Sequence, residues 1–296
     1  MTSSTQKEIP TMTQVTDNLT TPVDATTPPA NGSRLCVEGA TIGYDKRTIS
    51  ENLSISIPDE SFTVIVGPNA CGKSTLLRGL SRLLKPTPGR VVLDGADIAS
   101  YKAKDVARRL GLLPQTSIAP DGITVADLVA RGRHPHQKLL RQWTETDEQA
   151  VVEAMDATGV TDLSGRLVDE LSGGQRQRVW VAMVLAQDTT IMLLDEPTTF
   201  LDITHQIELL ELFTDLHHTG RTLVAVLHDL NHAARYGTHL IAMKNGQVVA
   251  HGAPREIVTA ELVEEVFGLR CLVVPDPVSG TPSVVPLGRE RKLSGS

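Results

Sequence analysis

The chain is predicted to fold as an α/β protein in which helices cover a mainly parallel sheet. Short apolar runs typical of buried strands recur along it, among them residues 62–66, 191–194 and 223–227. Between them lie longer segments with helical spacing, such as residues 73–84 and 204–216. Strands that alternate with helices favour parallel pairing, because each helical connection crosses one face of the sheet before the next strand begins.

The individual elements are predicted from their apolar patterns. Residues 53–57 alternate between apolar and polar side chains, as in a half-buried strand, whereas residues 62–66 form a continuous apolar run. Further strand-like runs lie at 91–93, 110–113 and 240–243. Residues 124–165 contain no strand-like run, and residues 145–157 have helical spacing. We therefore predict a helical insertion, a subdomain over about 124–187.

The two ends of the chain differ from its middle. Residues 1–33 are rich in Thr, Ser, Pro and Asn, and such a segment buries too little apolar surface to offset its ordering entropy. We predict a disordered leader there, and a docking tail is the alternative. The folded domain is predicted over 34–288, with a C-terminal appendage over about 253–288 and a tail over 289–296.

Composition limits the possible classes of function. Of 296 residues, 40% are hydrophobic but only 3% are aromatic, so an aliphatic core is expected. The net charge of -7 argues against a protein that binds nucleic acid through bulk positive charge. Cys36, Cys71 and Cys271 lack paired spacing, which indicates neither a disulfide framework nor a zinc site. Without an apolar run of about 18 residues or a secretory signal, the protein is expected to be soluble and cytosolic.

Residues 67–74 match G-x-x-x-x-G-K-[ST], the pattern of a phosphate-binding loop, between a predicted strand and a predicted helix. The glycines let backbone N–H groups turn inward, and the helix adds its positive N-terminus, so we expect ATP to bind here. Lys73 is predicted to reach the β- and γ-phosphates, and the Ser74 hydroxyl to hold Mg²⁺. The nucleotide cradle comprises Gly67, Pro68, Asn69, Ala70, Cys71, Gly72, Lys73, Ser74 and Thr75. The alternative is a tight glycine turn that caps a helix.

Cys71 lies inside this loop. Its simplest interpretation is a small side chain that fills space, because the loop acts through backbone groups. A second hypothesis is that the helix N-terminus lowers the pKa of the Cys71 thiol, so that alkylation blocks nucleotide binding.

An apolar strand, residues 191–194, ends in two carboxylates, Asp195 and Glu196. A bare carboxylate at the end of a buried strand is costly unless a cation or hydrogen-bond donors meet it. Asp195 is predicted to hold Mg²⁺, and Glu196 to polarise the water that attacks the γ-phosphate. The alternative is a strand that ends in a polar turn, where Asp, Glu and Pro are common.

Residues 171–175 read Leu-Ser-Gly-Gly-Gln and precede a helix-like run at 176–186. They form a second glycine-rich helix N-terminus that suits an anion. The residues expected to contact the nucleotide are Ser172, Gly173, Gly174 and Gln175. In isolation, the pattern also fits an ordinary helix capped by Ser172.

The order of these motifs, from residue 34 to 252, resembles the ATP-binding cassette (ABC) family. The resemblance implies the core fold of the phosphate-loop NTPases, with an antiparallel β portion and the helical insertion. It further implies that Tyr44 stacks on adenine, that Asp202 bridges two subunits and that His228 contacts the γ-phosphate. Gln115 corresponds to the glutamine between the nucleotide and the insertion. The implied catalytic residues are Lys73, Gln115, Glu196 and His228, and the implied metal-binding residues are Ser74, Gln115 and Asp195.

The resemblance also implies a mechanism. Two cassettes pack head to tail, and ATP lies between the phosphate loop of one and residues 171–175 of the other, where Ser172 and Gly174 touch the γ-phosphate. ATP binding closes the dimer and hydrolysis reopens it. With one phosphate loop, the chain is expected to pair with a copy of itself or with a similar cassette.

Four segments, at 124–129, 131–136, 197–202 and 274–282, resemble cassettes of bacterial importers for ferric siderophores. That subfamily also serves haem and vitamin B12. The implied partners are a membrane permease that docks near Gln115 and, indirectly, an extracytoplasmic binding protein. The chain is then expected on the cytoplasmic face of the membrane, with no nucleic acid bound. The alternative class is a soluble cassette that acts on nucleic acid or ribosomes.

One residue departs from the family pattern. Ala70 stands where the family often has glycine. The backbone must still adopt the geometry of the loop, and alanine can do so without strain if φ is negative at this position.

Overall fold

The computed structural model describes residues 33–44, 47–116, 118–137 and 143–288. The predicted leader, except Ser33, and the predicted tail at 289–296 lie outside the described residues. The strands in these ranges are β1 (Leu35–Tyr44), β2 (Arg47–Ile57), β3 (Phe62–Val66), β4 (Arg90–Leu93), β5 (Ala96–Asp97), β6 (Leu110–Leu113), β7 (Ile191–Asp195), β8 (Thr222–Val226), β9 (His239–Lys244), β10 (Gln247–Gly252), β11 (Cys271–Pro275) and β12 (Pro282–Pro286).

The α-helices in the same ranges are α1 (Lys73–Leu80), α2 (Ala103–Ala107), α3 (Val125–Ala130), α4 (Glu145–Ala157), α5 (Gly173–Ala186), α6 (Ile203–His218), α7 (Leu230–Tyr236), α8 (Pro254–Ile257) and α9 (Ala260–Phe267). Short 3₁₀ turns lie between several of them. Among these helices, none is long and apolar enough to cross a membrane.

The central sheet has the strand order β10-β9-β3-β8-β7-β6. Neighbouring strands run parallel from β9 to β6, and β10 alone is antiparallel to its neighbour. Strands β3, β7 and β8 are buried at every position, because helices or a second sheet cover both faces. The prediction of a mainly parallel, covered sheet is confirmed.

A second sheet of order β2-β1-β4-β5 is antiparallel, which confirms the expected antiparallel portion. Helix α1 packs in the core that also contains residues of both sheets, with Leu76, Leu77 and Leu80 fully buried. Side chains of β3 alternate between two cores: Ile65 belongs to this one, whereas Val64 and Val66 belong to the core under the remaining helices. The alternation holds the central sheet between two apolar layers.

Helix α1 is shorter than predicted, because it ends at Leu80 rather than at residue 84. Arg82 has a left-handed φ of 66°. The N–H of Leu83 donates to the Arg78 carbonyl, and the N–H of Arg82 donates to the Gly79 carbonyl. These two bonds form a Schellman C-cap, which terminates the helix even though the following residues are good helix formers.

Between β6 and β7 the described residues form helices and no strand, and α3 and α4 both pack against α5. A buried ion pair ties this region together. Arg133 Nε lies 3.0 Å from Oδ1 of Asp147, and an Arg133 amino group donates to the Ala186 carbonyl at 2.8 Å. Asp147 also completes a capping box with Thr144 at the start of α4.

Candidate active site

The candidate site lies at the carboxyl edge of four neighbouring parallel strands. The segments that follow β3, β8, β7 and β6 contain the phosphate loop, His228, Glu196 and Gln115, respectively. Ligands of open α/β sheets bind at this edge, where the strand-to-helix connections meet. A cavity of about 670 Å³ is lined there by Tyr44, Arg47, Ile49, Asn69, Ala70, Cys71, Gly72, Lys73, Ser74, Thr75, Gln115, Glu196 and His228. Its volume suits a nucleotide-sized ligand.

The phosphate loop needs glycine at both of its ends. At Gly67, φ is 153°, and a Cβ atom would lie 2.2 Å from the Met243 carbonyl oxygen. At Gly72, φ is 107°, and this residue is the N-cap of α1. The loop therefore enters the helix with its first backbone N–H groups free for an anion.

Ala70 has a φ of 58°, so the condition under which alanine fits the loop without strain is not met. A residue with a Cβ atom in the left-handed region costs roughly 1–2 kcal/mol relative to the right-handed one. The loop maintains this conformation because Gly67 and Gly72 determine the chain direction on either side.

Lys73 is buried, with its side chain folded back across the loop. Its Nζ atom donates to the carbonyl oxygens of Gly67 and Pro68, both at 2.8 Å. These bonds offset the cost of burying an ammonium group and place it at the concave side of the loop. Contact of Lys73 with the β- and γ-phosphates stays a prediction.

Cys71 lines the cavity but is buried. Burial raises the pKa of its thiol, and the nearby Lys73 charge only partly opposes that effect. The thiol pKa is therefore not lowered, because desolvation outweighs the Lys73 charge and the backbone hydrogen bonds. Loss of nucleotide binding on alkylation of Cys71 stays a prediction.

Ser74 and Asp195 form a pair of oxygen ligands at the start of α1. The Ser74 hydroxyl donates to Oδ1 of Asp195 at 2.8 Å. Burial raises the pKa of the Asp195 carboxyl, an effect that the Ser74 hydrogen bond opposes. A buried carboxylate beside a hydroxyl and a phosphate cradle is a donor set that suits Mg²⁺, which prefers hard oxygen ligands.

Glu196 lies at the centre of a hydrogen-bond cluster. Its Oε1 atom lies 2.8 Å from His228 Nε2, and Thr199 Oγ1 donates to Oε2 at 3.3 Å. Gln115 also donates to this carboxylate. Burial alone would raise the pKa of Glu196, but the bonds from His228 and Gln115 outweigh it and lower the pKa. The lowered pKa favours the carboxylate form of Glu196, whose backbone has a left-handed φ of 54°.

The segment at 171–175 does not line this cavity. Ser172 caps α5 through a capping box: its hydroxyl accepts from the Gln175 N–H at 3.3 Å, and Gln175 Oε1 accepts from the Ser172 N–H at 3.1 Å. Glycines 173 and 174 lie against the loop that follows Glu196. A Cβ atom on Gly174 would lie 3.4 Å from Leu201 Cδ2. Within one chain, these residues and the phosphate loop are separate.

A model of the ABC transporter family matches residues 50–199, half of the chain. The chain belongs to the ABC transporter family. Over 258 residues, this cassette is 62% identical to the ferric enterobactin transport ATP-binding protein FepC of Escherichia coli K12, covering 87% of this chain and 95% of that protein.

Two solved structures support the assignment of this ABC cassette. An inward-facing metal-chelate-type ABC transporter matches 87% of this chain and 99% of its own with a TM-score of 0.74 and 27% identity. A dimeric cassette in a post-hydrolysis state with ADP and phosphate matches 74% of this chain and 98% of its own, with a TM-score of 0.67 and 26% identity. ATP is the nucleotide of the family.

Asp202 is the N-cap of α6 in this cassette. Its Oδ1 atom accepts from the His205 N–H at 2.9 Å and lies 2.7 Å from His205 Nδ1. The backbone bond and then the imidazole lower the pKa of the Asp202 carboxyl. Asp202 lies outside the nucleotide cavity, with 66% of its side chain exposed. Its bridging of two subunits stays a prediction.

The cavity of the cassette also contains Arg47 and Ile49, which the sequence did not suggest. The predicted Tyr44 lines it as well, and Arg78 donates to the Tyr44 hydroxyl at 2.8 Å. Stacking of Tyr44 on adenine stays a prediction. Arg47 lies beside Tyr44, because the two residues pair across β1 and β2. Thr199 joins the Glu196 cluster. The signal for Arg47 was its position three residues after Tyr44, in a segment able to form a hairpin.

Proposed function

We propose that this chain is the ATP-hydrolysing subunit of an importer for ferric siderophores. The observation that carries the proposal is one nucleotide-sized cavity lined by Glu196, its partner His228, and Ser74, whose hydroxyl donates to Asp195. The choice of cargo is supported by the 62% identity to a ferric enterobactin transport protein. Haem or vitamin B12 import is the alternative cargo within the same subfamily.

The phosphates of ATP would lie along residues 67–75, bound by inward N–H groups and by Lys73. The Lys73 ammonium now bonds two loop carbonyls, and a phosphate would draw it toward the β- and γ-oxygens. At the far end of the cavity, the Tyr44 ring would stack on adenine. With the nucleotide bound in this way, the γ-phosphate would face Gln115, Glu196 and His228.

Ser74 and Asp195, with Gln115 next to the cavity, would hold Mg²⁺. A bound Mg²⁺ neutralises charge on the phosphates and orients them. The raised pKa of the Asp195 carboxyl shows that burial disfavours its charge, which a cation would offset.

Glu196 would orient and polarise the water that attacks the γ-phosphate. Its lowered pKa keeps the carboxylate ionised and able to accept a proton. His228 and Gln115 hold this carboxylate from two sides, and His228 would also face the γ-phosphate. Catalysis would rest on positioning and on electrostatic stabilisation, as is general for phosphoryl transfer.

The second half of each site would come from another cassette, most simply a second copy of this chain. Residues Ser172, Gly173, Gly174 and Gln175 lie outside the cavity of their own chain. A head-to-tail dimer would bring them to the γ-phosphate of the partner, with Asp202 at the interface. ATP binding would close this dimer, and hydrolysis would reopen it.

Closing and opening would drive a membrane permease that docks near Gln115. An extracytoplasmic binding protein would deliver the iron complex to that permease. The cassette itself would remain on the cytoplasmic face of the membrane and would not touch iron or nucleic acid.

The test combines nucleotide binding with uptake. Lys73→Ala is expected to lose ATP binding and uptake of the iron complex together, whereas Lys85→Ala, which changes an exposed lysine after α1, should retain both. Uptake is measured in a deletion strain with a panel of ferric siderophores, haem and vitamin B12. Unchanged growth of the Lys73→Ala strain on ferric siderophore as sole iron source, with no second importer present, would refute the proposal. Loss of only haem or B12 uptake would reassign the cargo.

A further inference from the structure

Asn231 makes a two-point contact with the C-terminal hairpin of β11 and β12. Its Oδ1 atom accepts from the Val284 N–H at 2.7 Å, and its Nδ2 atom donates to the Val284 carbonyl at 3.3 Å. The amide thus satisfies both backbone groups of Val284, as a neighbouring strand would. This contact joins helix α7 to a segment more than 50 residues further along the chain.

The contact lies close in sequence to a candidate catalytic residue. Strand β8 ends at Val226, His228 follows, and Asp229 caps α7 by accepting from the His232 N–H at 2.9 Å. Asn231 is the second residue of α7. The backbone that carries His228 is therefore held on one side by β8 and on the other by α7.

His228 depends on that backbone for its position. Its side chain is 46% exposed, and its Nε2 atom lies 2.8 Å from Glu196. No other hydrogen bond holds the imidazole among the described residues. A small tilt of α7 would move the ring away from the carboxylate, because neighbouring side chains do not enclose it.

The hairpin is a firm support for α7. Cys271 and Val284 are buried in the same core as Ala233 and Ala234 of α7. The connecting loop is closed by Asp276, whose Oδ1 atom accepts from the N–H groups of Val278 and Ser279. The hairpin therefore presents Val284 to Asn231 in a defined position.

We infer that Asn231 is a positioning residue that keeps His228 in reach of Glu196, by fixing α7 to Val284 of the C-terminal hairpin. The inference rests on the proposed role of Glu196 and His228 in ATP hydrolysis. It makes the predicted appendage at 253–288 a support of the catalytic centre.

The test compares ATP turnover of full-length Asn231→Ala and Asn231→Asp. Asn231→Asp keeps the acceptor for the Val284 N–H but loses the donor to its carbonyl. In both variants kcat is expected to fall about ten-fold, since small misplacements of catalytic groups have effects of this order or larger, with the KM for ATP nearly unchanged. Arg235→Ala is the matched control, because it changes an exposed side chain of α7 without removing the contact between Asn231 and Val284.

A double-mutant cycle separates positioning from general stability. If Asn231 acts through His228, adding Asn231→Ala to His228→Ala should lower kcat no further. Additive losses, or an equal loss of kcat in Arg235→Ala at a similar free energy of unfolding, would overturn the inference. Glu196→Gln is measured in parallel. Normal turnover there would refute the proposed function itself, whereas an inactive Glu196→Gln beside a fully active Asn231→Ala would refute only this inference.

Discussion

The hydroxyl of Ser74 donates to Oδ1 of Asp195 at 2.8 Å, although 121 positions separate the two residues in the chain. The bond joins the first turn of α1 to the end of β7. The bond offsets only part of the cost of burying the Asp195 carboxylate, because the pKa of Asp195 remains above its ordinary value. The Asp195 carboxylate is therefore buried at an energetic cost that a bound cation would lower.

Asp195→Asn should stabilise the apo protein at neutral pH and weaken magnesium-dependent nucleotide binding. A carboxyl whose pKa is raised by folding costs stability above its ordinary pKa of 3.8, and the cost disappears in acid, where the group is protonated. The free energy of unfolding of Asp195→Asn should therefore exceed that of wild type at pH 7, and this difference should shrink below about pH 4. Chemical denaturation at both pH values measures it.

The nucleotide arm of the same experiment titrates Mg²⁺ into protein with ATP and follows binding by calorimetry. The increase in ATP affinity that Mg²⁺ produces should be smaller by about ten-fold or more in Asp195→Asn. Changes to groups around a metal site have effects of this order. Asp188→Asn is the control, since Asp188 pairs with Arg221 at the opposite edge of the sheet. Unchanged magnesium dependence would contradict the assignment of Asp195 as a ligand.

Glu196→Gln is expected to bind ATP but to hydrolyse it about 100-fold more slowly or worse, the usual loss when a general base is removed. The amide keeps the shape of the side chain but cannot accept a proton. ATP should therefore accumulate between two chains, and light scattering after size exclusion should show a stable dimer. Glu148→Gln, at an exposed position of α4, serves as the control. A monomer with normal turnover would be incompatible with the mechanism.

Ala70→Gly should stabilise the protein by roughly 0.5–1 kcal/mol, because glycine adopts the φ of 58° without the strain of a Cβ atom. The gain is reduced by the larger conformational entropy of glycine in the unfolded chain. ATP affinity should change little, since the loop binds through backbone groups. The control variant Ala150→Gly, within α4, should have a free energy of unfolding about 1 kcal/mol lower than that of wild type. Equal losses in both variants would show that Ala70 is unstrained.

Arg133→Met should destabilise the protein by about 3 kcal/mol at neutral pH, because it leaves the buried Asp147 carboxylate without its cation. Burial alone would raise the pKa of Asp147, but bonds from Thr144 and Arg133 lower it overall. The stabilisation from a lowered carboxyl pKa is present above the ordinary value of 3.8 and is lost as pH falls through the folded value. The difference in free energy of unfolding between Arg133→Met and wild type should therefore become smaller in acid.

Urea unfolding from pH 7 to pH 3 measures that difference. The double variant Arg133→Met with Asp147→Leu removes both charges and should recover much of the loss. A constant difference across the pH range would mean that Arg133 acts through its bond to the Ala186 carbonyl rather than through Asp147.

The sequence was most informative where chemistry depends on short, ordered patterns. The phosphate loop, the carboxylates at the end of β7 and the alternation of strands with helices are local features, and the structure places them as expected. The hydrogen bonds from His228 and Gln115 to Glu196 were not predicted. They form because the parallel strands before these residues end at one edge of the sheet.

The features that were missed depend on tertiary context. Arg47 reaches the cavity through the pairing of β1 with β2, whose register contains several irregularities. The positive φ of Ala70 is imposed by the loop around it, and the end of α1 is determined by a left-handed Arg82. The pKa of Cys71 was misjudged because its burial outweighs the Lys73 charge and the backbone hydrogen bonds.

The packing of Gly174 against Leu201 has a consequence for the timing of turnover. Gln177 reinforces it by donating to the Pro197 carbonyl at 3.0 Å, one residue beyond Glu196. In a head-to-tail pair, each chain would thus connect the glutamate of its own site to the residues it lends to the opposite site. Hydrolysis at one site would change the rate of hydrolysis at the other, so the two ATP molecules of a dimer would not be hydrolysed independently.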